Sequence, residues 1–370
     1  MNVPLSILDL SPISAGYDAG SALRNTVDLA RHAEQWGYQR YWVAEHHFVA
    51  VASSAPAVLI GQIAAATERI RVGAAAVQLG YTTALAVVES FGMLDQFHPG
   101  RIDLGLGRSG QRRKEAERGD LPDRPDVPWR EVDGVVVPSP FDVRALLGSP
   151  RMRALSTVLT QPEAAPPDFA EQVGEILALL DGSHTVDGYP VHAVPGEGSG
   201  LTPLIFGSSR GQSAEVAGAQ GLPFVASYHI TPSSALDAVD AYRAAFTPSP
   251  HLATPYVVVS ADVLVADDSA TATHLAAPFG QWVYSIRAQG GAEPYPDPDT
   301  VVPLADDQRA VVEDRLATQF VGDADEVADK LAALQRVTGA DELVVTTATH
   351  QHADRLRSYE LLAKRWGVTG

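Results

Sequence analysis

Cysteine is absent from the 370 residues. That excludes disulfide scaffolds, thiolate nucleophiles and cysteine-ligated zinc or iron–sulfur sites. Positive charge is also scarce: Lys+Arg number 27 against 45 Asp+Glu, a formal net charge of −18. With a pI near 4.9, the chain lacks the basic stripe that a nucleic-acid backbone or an anionic lipid surface requires. No apolar run approaches the ~20 residues of a membrane span. Met1-Asn2-Val3-Pro4-Leu5 has no basic stretch ahead of an apolar one, so no secretory signal is expected. What remains is 45% hydrophobic and 19% charged residues, enough for a large core. The expectation is a cytoplasmic globular protein that takes neither nucleic acid nor membrane as a partner.

Short apolar runs alternate with helical patterns. Strands are expected at 5–10, 40–47, 69–79, 101–107, 203–209, 223–230, 256–266 and 341–349. Most are β-branched and aliphatic runs of the kind buried on both faces of a parallel sheet. Helical patterns fall at 20–36, 56–67, 83–97, 163–181, 212–220, 232–246, 268–289, 306–318, 325–337 and 352–365. About eight strand–helix alternations predict an α/β fold of the (β/α)8 TIM-barrel type, a single domain over 1–370. Ser53-Ser54-Ala55-Pro56 and Gly322-Asp323-Ala324-Asp325-Glu326 read as helix starts, the first with a serine cap. Residues 111–162 open on the charge-dense run QRRKEAERGD and continue through prolines, and 290–305 is rich in Pro, Gly and Asp. Both read as insertions, after strands four and seven. The charge run is either a solvated helix or a lid over the site.

A barrel of this kind carries its site at the C-terminal strand ends. Glu45-His46-His47 stands at the end of the second strand. Alternation sends residue 46 to one face and 45 and 47 to the other, so one histidine can face the barrel mouth as a general acid or base. A hydrogen-bonded pair of core histidines explains the tripeptide as well. Adjacent histidines on a strand diverge, so no metal site is expected. Gly105-Leu106-Gly107-Arg108-Ser109-Gly110 matches the dinucleotide fingerprint, but a proline-rich stretch follows where a Rossmann unit needs a helix. Its glycines would still admit a flat ligand, and Arg108 offers a donor fork for phosphate. Gly207-Ser208-Ser209-Arg210-Gly211-Gln212-Ser213 joins strand five to a helix and reads as a phosphate cradle or as an ordinary serine-capped turn. Strands four and five are neighbours in a closed barrel, which brings Arg108 and that turn together. Gly73-Ala74-Ala75-Ala76-Val77 has almost no side-chain volume and suits either a planar ring or close strand–helix packing.

WVAEHH at 42–47, RIRVGAAAV at 69–77, HPGRIDLGLGR at 98–108, GSS at 207–209 and DADEVADKL at 323–331 together resemble the luciferase-like flavin monooxygenases, and ADRLRSYELLA at 353–363 fits the same pattern. The resemblance implies a barrel that binds reduced FMN non-covalently, commonly as a homodimer fed by a separate NAD(P)H:flavin reductase. It places the isoalloxazine against Ala74, Ala75 and Ala76, where the bacterial luciferases have a non-proline cis peptide. The phosphate falls to Arg108, Ser208, Ser209 and Ser213, and the histidine that assists chemistry maps to His46. The luciferase cysteine near the ring maps to Gly107. The implied reaction is monooxygenation: reduced FMN and O2 give a flavin C4a-hydroperoxide, which oxygenates a small organic substrate. The alternative is a deazaflavin (coenzyme F420)-dependent oxidoreductase that moves hydride on the same barrel; a non-catalytic flavin-binding relative and a Rossmann dehydrogenase are further readings. Tyr81, Tyr228 and His229 are substrate-pocket candidates by position, and 111–162 matches no family segment.

Overall fold

The computed structural model describes residues 3–108, 111, 115, 118–119, 127–160 and 167–368. Eight parallel strands carry the fold: β1 (Leu5–Asp9), β2 (Arg40–Val43), β3 (Arg71–Ala74), β4 (Ile102–Gly107), β5 (Thr202–Gly207), β6 (Phe224–Ala226), β7 (Val257–Val265) and β8 (Glu342–Thr346). They pair in chain order. β8 pairs back onto β1, and β4 pairs with β5, so the sheet closes as a (β/α)8 barrel. Outside it pack α1 (Ala19–Trp36), α2 (Pro56–Ala66), α3 (Ala84–Phe97), α4 (Phe169–Asp181), α5 (Gln212–Ala219), α6 (Ala235–Ala245), α7 (Ala324–Thr338) and α8 (His352–Trp366).

The period of two along each strand sorts the side chains. Ile7, Tyr41, Val43, Val72, Ile205, Phe224 and Leu343 point outward into the main core beneath the helices. Leu8, Trp42, Leu204, Val225, Val258 and Val344 form a separate cluster inside the barrel, as layered filling requires. Beneath that layer the interior turns polar. Asp103 accepts from Arg40 at 2.9 Å, from Arg71 at 2.6 Å and from Trp42 Nε1 at 2.8 Å. Glu342 accepts from Arg40 at 3.1 Å and from the Tyr256 hydroxyl at 2.8 Å. This plug fills the N-terminal end, so a ligand must enter from the other. β3 and β4 lie so close that a Cβ on Gly105 would sit 1.9 Å from the Ala74 carbonyl oxygen.

The expected elements differ from the observed ones mainly at strand ends. β2 stops at Val43 rather than running to residue 47, because the chain beyond it bonds its own loop: the His46 amide donates to the Ser53 carbonyl at 2.9 Å. The run 69–79 is broken by a cis peptide at Ala75–Ala76, after which Val77–Gln78 pairs again with β4. The expected strand 223–230 ends at Ala226, where the amides of Ile230 and Thr231 turn back to the Ser227 carbonyl. α2 has Ala55, not a serine, at its cap, since the Ser53 hydroxyl donates instead to the Ala44 carbonyl. α7 does start as expected: Asp323 accepts from the Glu326 amide and Glu326 from the Asp323 amide, at 3.0 and 3.1 Å.

The connections after β4 and β7 carry extra elements. The first holds an antiparallel hairpin, Arg130–Val132 with Val135–Val137, and the helix Pro150–Leu159. The second is wider than 290–305: helices Pro278–Ala288 and Asp306–Thr318 flank that stretch and pack together. The helix expected over 268–289 is two, because Pro278 has no amide hydrogen to continue the first and begins a second. Much of the charge run at 112–120, with Ser109 and Gly110, lies outside the described residues. Among the described residues no helix is long and apolar enough to cross a membrane.

Candidate active site

A cavity of about 580 Å³ opens at the C-terminal ends of the strands. One end of it is built by β4, β5 and the turn before α5. Arg108, Ser208, Ser209 and Ser213 all line this end, so the sequence-expected phosphate group comes together in space. Arg108 Nη1 donates to Gln212 Oε1 and Nη2 to Glu115 Oε2, both at 2.8 Å. Gln212 in turn donates to Asp168 at 2.7 Å, and Asp168 caps α4. The guanidinium is thus held across the gap between β4 and α5. Gly211 precedes α5 and no side chain caps that helix, so its first amides are available to an anion.

The middle wall is flat. Ala75 and Ala76 line it, joined by the cis peptide, and Gly107 lies beside Ala76 on the neighbouring strand. A Cβ on Gly107 would come 3.2 Å from the Ala76 Cβ. Ala74 does not belong to this wall. It sits one residue earlier in β3, on the outward side, and is buried in the main core.

His46 also lines the cavity. The residue is solvent-exposed within the open cavity, while protein atoms crowd around its ring. Burial, reinforced by the neighbouring His47, holds its pKa down at about 4 from the usual 6.5. It is therefore neutral at pH 7 and can accept a proton. Because β2 has already ended, Glu45 and His47 line the same cavity instead of alternating away from it. They form a brace: Glu45 accepts from His47 Nε2 and from the Gln78 amide, each at 3.0 Å, and the Gln78 side chain donates to the Glu45 carbonyl at 2.7 Å.

Of the three pocket candidates only His229 faces the cavity. It is buried and its Nδ1 is hydrogen-bonded to the Ser260 hydroxyl. Burial first, then the Arg315 guanidinium and His46, push its pKa down to about 3. Tyr228, one residue earlier, points outward; its ring packs against Phe320 and its hydroxyl donates to the Val136 carbonyl at 2.8 Å. Tyr81 closes the single turn Leu79–Tyr81 and is not among the lining residues. The strand has ended at Ala226, so the turn at residues 227–231, not strand alternation, sends Tyr228 and His229 to different sides.

Sequence reading missed the far end. Asp262, inside β7, pairs with Arg315 of the helix Asp306–Thr318 at 2.7 Å. Both line the cavity, as do Trp282 and Ile286 from the helix Pro278–Ala288. Met152 and Leu155, from the connection after β4, cover the same space. The one available signal was the lone acid in the apolar run Tyr256–Ala266.

The closed parallel barrel thus gathers Arg108, three serines, a flat small-residue wall and His46 around one cavity at its mouth. The family profile described as luciferase-like monooxygenase matches residues 3–136 and 149–342, and the chain belongs to that family. It is 37% identical over 364 residues to the uncharacterized protein YvbT of Bacillus subtilis, covering 98% of this chain and 96% of that one. It is 34% identical to a luciferase-like monooxygenase of Escherichia coli, over 97% and 96% of the two chains. Among solved structures, apo-MsnO8 superposes with a TM-score of 0.77 at 31% identity, covering 100% of this chain and 98% of that one. The oxygenating constituent of 3,6-diketocamphane monooxygenase of Pseudomonas putida, a type II Baeyer–Villiger enzyme solved with FMN, shares the fold at a TM-score of 0.65 and 19% identity, over 99% and 98% of the chains. An F420-dependent secondary alcohol dehydrogenase shares it at 0.58 and 15%, over 100% of each.

Proposed function

We propose that this chain is an FMN-dependent monooxygenase that uses reduced FMN and O2 to oxygenate a small organic substrate. One observation carries the reading: Arg108, Ser208, Ser209, Ser213 and the uncapped start of α5 converge on one end of the cavity whose other wall presents His46. A guanidinium fork, serine hydroxyls and helix amides are the donors a phosphate dianion needs. The Ala75–Ala76 and Gly107 surfaces leave no side chain in the way of a planar ring. The residues present therefore fit FMN.

When bound and reduced, FMN supplies the activation of O2 and the oxygen atom that is transferred. The protein's part is position, proton handling and exclusion of water. The serine turn and Arg108 fix the tail. His46, neutral at pH 7, accepts a proton at the reacting centre or holds it by hydrogen bond. Met152, Leu155, Trp282 and Ile286 cover the site from the two long connections and keep water out. With this reading go a separate NAD(P)H:flavin reductase as partner, a second copy of the chain, and the cytoplasm as location.

The test is oxygen consumption and peroxide release with reductase-supplied FMN. Turnover is expected with reduced FMN and O2, and His46→Ala should slow it ~10²-fold or more, the scale of a lost acid–base group. Turnover without O2 using reduced F420, and none with FMN, would replace this reading with hydride transfer on the same barrel.

A further inference from the structure

The carboxylates that line the cavity all have partners. Asp262 meets Arg315 at 2.7 Å and Glu115 meets Arg108 at 2.8 Å. Glu45 meets His47 at 3.0 Å and takes the Gln78 amide on its other oxygen. Two lining guanidinium groups are then left without a carboxylate among the described residues, Arg210 and Arg151. Arg210 belongs to the serine turn at the Arg108 end. Arg151 stands at the opposite rim, on the helix Pro150–Leu159. In a chain of net charge −18 the summed field repels anions, so any anion taken up at that rim depends on a local cation.

Arg151 is half-buried and fixed in place. Its Nη2 donates to the carbonyl of Phe48, in the loop after β2. Its stem and guanidinium lie over two glycines of the β7–β8 connection. A Cβ on Gly290 would stand 3.2 Å from Arg151 Cδ, and one on Gly291 would stand 3.0 Å from Cζ. Side chains at those positions would push the guanidinium off the wall. A bond to a neutral carbonyl leaves the positive charge uncancelled and the other N–H groups available to a second acceptor. A carboxylate matches such a fork, and the Phe48 contact has already ordered the side chain that would receive it. The neighbouring walls are apolar, lined by Leu10, Met152, Leu155, Trp282 and Ile286.

We infer that Arg151 is an anion anchor for the substrate, and that the substrate is an organic acid: an apolar body along these walls, its carboxylate on Arg151. The inference rests on the monooxygenase reading only in giving the Arg108 end to the cofactor. Arg151 is thereby a specificity-determining residue, set apart from the reacting atoms.

The experiment uses two acids, octanoate and 4-phenylbutanoate, each beside its neutral amide. Binding is followed by calorimetry on the full chain, with and without saturating oxidised FMN. FMN binding is read separately, so a chain that refuses FMN yet binds the acids through Arg151 disproves the cofactor reading alone. Wild type is expected to bind at least one acid ~10-fold or more tighter than its amide, about one charge-assisted hydrogen bond, and FMN should leave that preference intact. Arg151→Gln should abolish the preference by weakening the acid and not the amide. Arg151→Lys should keep part of it, since an ammonium supplies the charge without the fork. Arg153→Gln, on the same helix but exposed and off the cavity lining, should change nothing. Failure of both acids to bind, acids no tighter than their amides, an unchanged preference in Arg151→Gln, or an equal loss in Arg153→Gln would overturn the proposal. So would acid binding that FMN abolishes, because the acids would then occupy the Arg108 end.

Discussion

The two ends of the cavity are built by opposite means. The Arg108 end uses short side chains and backbone: three serines, a glycine before α5, and Arg108 one residue past the end of β4. The far end uses long side chains from distant segments, with Asp262 inside β7 meeting Arg315 across 53 positions of sequence. The first is set by how the strands end; the second exists only after two helices of the β7–β8 connection have docked. A binding site made from strand ends is preorganised by the barrel itself, whereas one made from an insertion can be changed without touching the barrel.

The contrast can be broken at its foundation. Asp103→Ala removes the acceptor shared by Arg40, Arg71 and Trp42 and leaves two guanidinium groups partly buried. It should cost ~3–5 kcal/mol, the scale for a broken buried ion pair, and is read as a lowered denaturation midpoint. Both cavity ends should then fail together. Arg108→Ala acts on one end only: FMN affinity should fall ~30–100-fold, worth ~2–3 kcal/mol for a charge-assisted phosphate contact, while stability changes little. FMN fluorescence quenching measures it.

Acid sharpens the comparison at the histidines. His46 and His229 have folded pKa values below the unfolded 6.5, near 4 and 3. The unfolded chain therefore binds more protons than the folded one as pH falls below 6.5, and stability declines over that range. For His229, which is buried, the loss between pH 6.5 and 4.5 should be ~2 kcal/mol, and His229→Asn should flatten that part of the pH profile. The smallest effect is expected of Gly107→Ala. Its Cβ would stand 3.2 Å from that of Ala76, so stability should drop by less than ~1 kcal/mol, with a modest loss of FMN affinity from the narrowed wall.

How much of this was legible in the sequence follows from the same division. The barrel was readable, because βα alternation and buried apolar runs are local signals. So was the convergence of Arg108 and Ser209, which needed only the rule that strands four and five of a closed barrel are neighbours. Ala74 and Tyr228 were misplaced: the period of two in β3 puts Ala74 on the outward face, whereas Tyr228 lies past the end of its strand and its direction is set by the turn there. Two hairpin turns were also there to be read. Asp133-Gly134 and Asp187-Gly188 both adopt positive φ, at 46° and 86° and at 51° and 82°. That is the Asp-Gly signature of a tight hairpin. The Asp262–Arg315 pair was not legible. No spacing rule links a strand interior to a helix of an insertion, and the pairing is decided by docking.

The most direct measurement is a crystal structure of the complex with FMN. The account predicts phosphate density among Arg108, Ser208, Ser209 and Ser213, and the ring system against Ala75 and Ala76 within reach of His46. A phosphate bound away from the β4–β5 end, or a ring lying against the Asp262–Arg315 wall, would contradict it.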